Sequence, residues 1–315
     1  MKPLLTAFTF FVFCFSLKAQ KIEQFFDWKW QLTDASTARY YTLMEKKDTV
    51  WHRQDYFIHE SRLQMDGSYQ DPDSKIAHGY FHYYHANGQL ASQGLYLKGK
   101  RQGLWLRYHD NGMLNDSAIY EQGNVVGTKM AWHRNGFLAD SAVLNADGSG
   151  VSVSWFDNGS PAAAGRYATG GKLEGKWQYF HSNGQLSAVE IYQQDVLLSK
   201  TYFDETGHAI TDTTSTDREA SFPGGDKAWM NFLSKQLYFP AQWKIANADQ
   251  AVVVVDWVVD EQGYVRDVRV QTPFHPAFEN LAVEAISRSP RWLPAIAHYR
   301  KIKAYRRQPV TFQQE

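Results

Sequence analysis

Gly103-Leu104-Trp105-Leu106-Arg107-Tyr108-His109-Asp110-Asn111-Gly112 is the stretch on which the reading of this chain turns. Its centre is aromatic and aliphatic, as strands favour. It closes on Asn-Gly, which tolerates positive φ at both central positions of a type I′ hairpin turn. The stretch recurs. Asn-Gly stands at Asn87, Asn111, Asn135, Asn158 and Asn183, with spacings of 24, 24, 23 and 25 residues. Eight residues before each Asn is another glycine: Gly79, Gly103, Gly127, Gly150 and Gly175. Three before each Asn is a ring: Tyr84, Tyr108, Trp132, Trp155 and Phe180. Nine after come Tyr96, Tyr120, Leu144, Tyr167 and Tyr192.

Each copy is therefore expected to be one hairpin. Gly99, Gly123, Asp147-Gly148 and Gly170-Gly171 return the chain at the opposite end. A lone hairpin is marginal in water, but stacked copies share their aromatic rows and stabilise one another. Trp105, Tyr108 and Trp132 are expected in that shared core. The pattern fades at Thr206-Gly207 downstream and at Asp66-Gly67 upstream. Residues 21–59 read as an N-terminal cap, because end repeats are usually atypical, and residues 60–210 as the array. The stretch 103–112, and 175–184 nearly as well, resembles the bacterial variant of the MORN repeat. The copies at Gly127 and Gly150 depart from it, with Lys129 and Ser152 where the first Trp should be. The resemblance implies an interaction or scaffold surface.

Thr211 to Ala220, TDTTSTDREA, reads as a linker. Beyond it the pattern changes. After Phe222-Pro223-Gly224-Gly225, Asp226 can cap a helix that carries Trp229, Phe232, Leu233 and Leu237 on one face. Val252 to Val259 is a strand. Asp260-Glu261-Gln262-Gly263 suits a type I turn, and Tyr264 to Val270 returns. His275-Pro276 opens a second helix with Pro at its first position. Lys301 to Phe312 is a last strand. Residues 221–315 are thus a small α+β domain. Phe222 to Gly225, the Val-rich strand ending in Val258-Val259-Asp260-Glu261-Gln262-Gly263, Ser289 to Ala295 and Pro309-Val310-Thr311-Phe312 together resemble the TonB C-terminal domain. Members of that family often place Asn-Gly before the last strand; this chain has His298-Tyr299-Arg300. The expected fold is mainly β: an antiparallel MORN-like hairpin-repeat sheet followed by this domain.

Composition bounds the function. The chain has 315 residues, with 33 basic and 33 acidic side chains and one cysteine. Zero formal charge argues against a nucleic-acid partner, and a single cysteine against a disulfide framework. Met1 to Gln20 has Lys2, an apolar run from Leu4 to Leu17 and a polar close, the anatomy of a signal peptide. A retained inner-membrane anchor is the alternative. The expected location is the periplasm.

No constellation suggests chemistry. His85, His109, His133 and His181 each stand two residues before an Asn-Gly. Equivalent positions of successive hairpins lie about 10 Å apart, whereas ligands of one zinc lie about 2 Å from it. No metal, cofactor or catalytic dyad is expected, and neither is an enzyme.

The candidate site is the last strand. Pro309 has no N–H to give a ladder, so its strand is expected to be an edge or to end at one. The resemblance implies that this strand pairs with a receptor peptide through Lys303, Tyr305 and Arg307, and Arg306 adds to the basic cluster. The expected partner is an envelope protein or an outer-membrane receptor peptide, in the manner of an energy transducer. The alternative is a periplasmic scaffold that uses the array, with no transport role.

Overall fold

The computed structural model describes residues 20–245 and 249–314. The signal-peptide reading of 1–20 therefore falls almost entirely outside the described residues. Among these, no helix is long and apolar enough to cross a membrane.

Sixteen strands form one antiparallel sheet in sequence order. They are β1 (Lys21–Phe26), β2 (Tyr40–Lys47), β3 (Val50–Phe57), β4 (Arg62–Tyr69), β5 (Gly79–Tyr84), β6 (Leu90–Leu97), β7 (Lys100–Tyr108) and β8 (Leu114–Glu121), then β9 (Asn124–Trp132), β10 (Leu138–Leu144), β11 (Gly150–Trp155), β12 (Pro161–Ala168), β13 (Lys172–Phe180), β14 (Leu186–Gln193), β15 (Val196–Phe203) and β16 (Ala209–Ile210). Residues 21–59, read as a cap, supply the first three strands of this same sheet. The stretch read as a linker is tied at Arg218, which bridges to Ile296.

One face of the sheet carries the core, and the glycines set where its rings go. The Trp105 indole lies flat on Gly94 of the preceding strand, where an added Cβ would sit 2.2 Å from the ring. Trp177 lies in the same way on Gly165, at 2.1 Å, and Phe81 on Gly67, at 2.3 Å. Each indole N–H reaches a backbone carbonyl, of Leu95 at 3.1 Å and of Arg166 at 3.0 Å, so burial leaves no donor unpaired. The copies with Lys129 and Ser152 in place of the ring have Ala118 and Ala142 where the others have glycine. Two clusters result, one around Met65, Phe81 and Trp105, the other around Trp177, Tyr179, Ala188 and Tyr202. Between them lies a notch of about 620 Å³, lined by Lys129, Asp140 and Ser152 together with Ala142 and Leu144.

Neither Trp132 nor Tyr108 joins this core: both are half-buried, and the Tyr108 hydroxyl accepts from Gln93 Nε2 at 3.4 Å. The ring three residues before each Asn-Gly sits at the strand end, past a register shift such as that between Leu138 and Asp140. The turn type also differs from expectation. Across Asn87-Gly88 the His85 carbonyl accepts from Gly88 N–H, and only the glycine has positive φ. This is a type I turn with a glycine bulge. The asparagine is occupied elsewhere: its Oδ1 accepts from Gln89 N–H and its Nδ2 donates to the Asp110 carbonyl in the next copy. The two-residue turns with both φ positive lie at the opposite end of the hairpins, at Lys98-Gly99 and Gln122-Gly123.

The second unit has helices α1 (Gly225–Gln236) and α2 (Pro276–Ser287) and strands β17 (Gln250–Val259), β18 (Val265–Thr272), β19 (Ala295–Ala297), β20 (Arg300–Ile302) and β21 (Ala304–Gln313). Its three-stranded sheet runs β18-β17-β21. Val253, Val255, Val259 and Val310 pack with Trp229, Phe278 and Ile286 in its core. Pro276 opens α2, and His275 Nδ1 accepts from Ala277 N–H. Asp226 does not cap α1; Gly224, left-handed at φ 87, begins the helix, and Asp226 lies in its first turn. The Asp260 side chain accepts from the N–H groups of Gln262 and Tyr264, which fixes the β17–β18 turn.

Candidate functional site: the open edge of the C-terminal sheet

Among the described residues β21 is bonded on one side only, to β17, in register from Gln250↔Gln313 to Val259↔Ala304. In an antiparallel pair alternate residues turn their N–H and C=O groups to the partner strand. Pro309 lacks the donor, so the outward positions are those of its parity: Tyr305, Arg307, Thr311 and Gln313. Their side chains also share the exposed face, and Tyr305 is 72% exposed.

Beside the second half of this edge lies a groove of about 880 Å³, lined on its far wall by Met230, Tyr238 and Trp243. All three are exposed. They come from α1 and the segment after it. Sequence reasoning missed them because only the helix's core-facing stripe has a periodic signature.

The basic residues singled out in the sequence are already engaged. Lys303 precedes β21 and pairs with Asp157 in the repeat sheet. Arg306 donates to the Ala220 carbonyl. Arg307 forms a two-pronged pair with its cross-strand neighbour Asp256, at 2.7 and 2.9 Å. Of the four candidates, Tyr305 alone stands clear.

The Lys303 contact belongs to a docking surface between the two units. Between β19 and β20, His298 and Tyr299 form a two-residue turn with both φ positive, 53° and 62°. Left-handed backbone at non-glycine residues costs roughly 1–2 kcal/mol each, and their side chains offset that cost by docking. The His298 ring stacks on Tyr179 at 3.5 Å, and its Nδ1 donates to Glu190 at 3.0 Å. Tyr299 stacks on Tyr202 at 5.1 Å. Arg300 donates to the carbonyls of Ala162 and Phe180, and burial lowers its guanidinium to about 10. At the far end of the sheet the Arg39 guanidinium covers the Phe274 ring at 3.9 Å.

Two carboxylates hold this surface charged. Burial pushes Glu190 up, but hydrogen bonds from His298 and Tyr192 outweigh it and leave the group below its ordinary range. The hydrogen bond from Lys303 lowers Asp157 against its partial burial.

The repeat histidines serve the array. The Nε2–H of His85, His109, His133 and His181 donates to the carbonyl of Tyr108, Trp132, Trp155 and Phe203, each in the next copy.

Residues 235–313 match the family model of the Gram-negative bacterial TonB protein C-terminal. Residues 77–98 and 173–194 match that of the MORN repeat variant. A comparison with curated proteins finds no match. The chain therefore joins MORN-type repeats to a TonB-like C-terminal module, and neither family is enzymatic.

Proposed function

We propose that this is an exported binding protein of the bacterial envelope, which holds an extended segment of an envelope protein or outer-membrane receptor against β21 as a fourth strand. The observation that carries this reading is the open edge itself: β21 ends its sheet, turns alternate backbone groups outward, and has an apolar groove beside it. Extended peptides add to such edges through main-chain hydrogen bonds, and neighbouring pockets select side chains. Because Arg306 and Arg307 are internally paired, selection falls to Tyr305, Met230, Tyr238 and Trp243 and favours apolar side chains in the partner. The array acts as a rigid mount. Its docking to the module through Tyr179, Tyr202 and Asp157 supports a binding role.

Tyr305→Pro tests this. Pro309 already shows that the outward parity tolerates proline, so the fold should survive while one outward donor is lost. The expected result is at least a tenfold loss of envelope partner recovered by crosslinking, with an unchanged unfolding midpoint. Equal recovery from a folded variant would remove the binding function from β21.

A further inference from the structure

The face of the repeat sheet turned away from the C-terminal module has an apolar stripe that the binding edge does not use. Alternation puts Phe81 and Trp105 on the module side, and so puts Tyr80 and Leu104 on the other. There the stripe runs across the strands through Tyr80, Leu104, Ile119, Val126, Val143 and Val151. Leu104 pairs with Ile119, Ile119 with Val126, and Val143 with Val151. Five of the six are between 44% and 69% exposed, and Val126 is half-buried. Strand propensity accounts for valines on a sheet face. It does not account for the breadth of the apolar surface, because on the neighbouring row of the same face Leu106, Met130 and Val153 alternate with Gln93, Ser117 and Ser141.

We propose that this stripe is the interface of a two-fold dimer, with a second copy of this chain as its occupant. Two observations select that occupant. The first is area. With five of its residues 44–69% exposed, the stripe is broad enough that pairing two copies buries on the order of 1,000 Å², the size that marks a specific interface. The second is charge at its ends. A two-fold axis through Ile119 on β8 lays β4 over β12 and β3 over β13. At one end His52 is bonded to Asp66 at 3.2 Å. At the other, Arg166 stands opposite Glu174 across β12 and β13. The axis therefore brings Asp66 towards Arg166 and His52 towards Glu174, acid to base on both strand pairs. A bilayer fits less well. Residues 21–220 hold 19 basic against 24 acidic side chains, and an anionic lipid surface attracts the opposite balance.

Sedimentation equilibrium of the full chain at micromolar concentration tests the proposal. The expected mass is twice that of one chain. Ile119→Lys places a lysine against its own copy at the axis and should weaken the dimer at least tenfold, with an unchanged circular dichroism spectrum. Glu174→Lys and His52→Glu should each weaken it several-fold, and the two together should restore it. Monomeric wild-type protein would overturn the proposal, and so would a dimer indifferent to Ile119→Lys. Monomer that floats with phosphatidylethanolamine–phosphatidylglycerol vesicles would assign the stripe to a bilayer and overturn it as well.

Discussion

At Gly94 a single methyl group would meet the Trp105 indole at 2.2 Å, so Gly94→Ala should cost about 1–3 kcal/mol in urea unfolding. Trp105→Ala should cost more, about 3–5 kcal/mol. The array also contains its own control, since Ala118 stands with Lys129 where Gly94 stands with Trp105. Gly94→Ala added to Trp105→Lys should therefore cost nothing further; an additive loss would show that ring and glycine are not coupled. The rings three residues before Asn-Gly show where sequence reading stops. Their periodicity is as strict as that of Trp105, yet Trp132 is half-buried. Period alone does not reveal the register shift that moves a strand end away from the core. The asparagines were legible as turn residues. Their bonds to carbonyls of the next copy were not, because those need the stacking distance between hairpins.

Among the elements, the β19–β20 hairpin has the clearest division between legible and hidden. The sequence marks His298-Tyr299 as a departure from the turn its resemblance implies, but nothing local says that the two side chains reach Tyr179 and Tyr202. Substituting His298→Asn with Tyr299→Gly should relax the turn and remove both stacks. Interspin distances between labels on the array and on α2 should broaden, while the module's own unfolding midpoint holds or rises. A distribution as narrow as wild type would mean that Arg300 and Lys303 suffice. Acid should loosen the same hairpin. Glu190 and Asp157 are both held below their ordinary pKa in the folded chain. Such groups contribute stability that is present above their unfolded values and is lost as pH falls through the folded ones. Amide exchange across Ala295–Ile302 should thus be slow at pH 7 and accelerate below about pH 4, the ordinary carboxylate range. Glu190→Gln should flatten that response. Acceleration near pH 6, or none down to pH 3, would contradict the assignment to these carboxylates.

For the whole molecule, both halves were readable as fold, since hairpin periodicity and the helix–strand pattern of the last 95 residues each have local signatures. Their mutual arrangement was not, because it rests on single residues, Arg39, Asp157 and Glu190, that carry no pattern in the sequence. That arrangement leaves β21 open while it occupies Lys303, and so separates the surface that mounts the module from the edge that binds. The central claim is that the partner meets the edge and not the array. Photocrosslinking from single sites of the full chain in native envelopes tests it most directly, with probes at Tyr305, Thr311 and Tyr238 and at Val143 and Arg166 on the outer face. The account predicts crosslinks to one envelope protein of another sequence from the first three positions and none to it from the last two. Crosslinks to that protein from Val143 and Arg166, with Tyr305 and Thr311 silent, would contradict it.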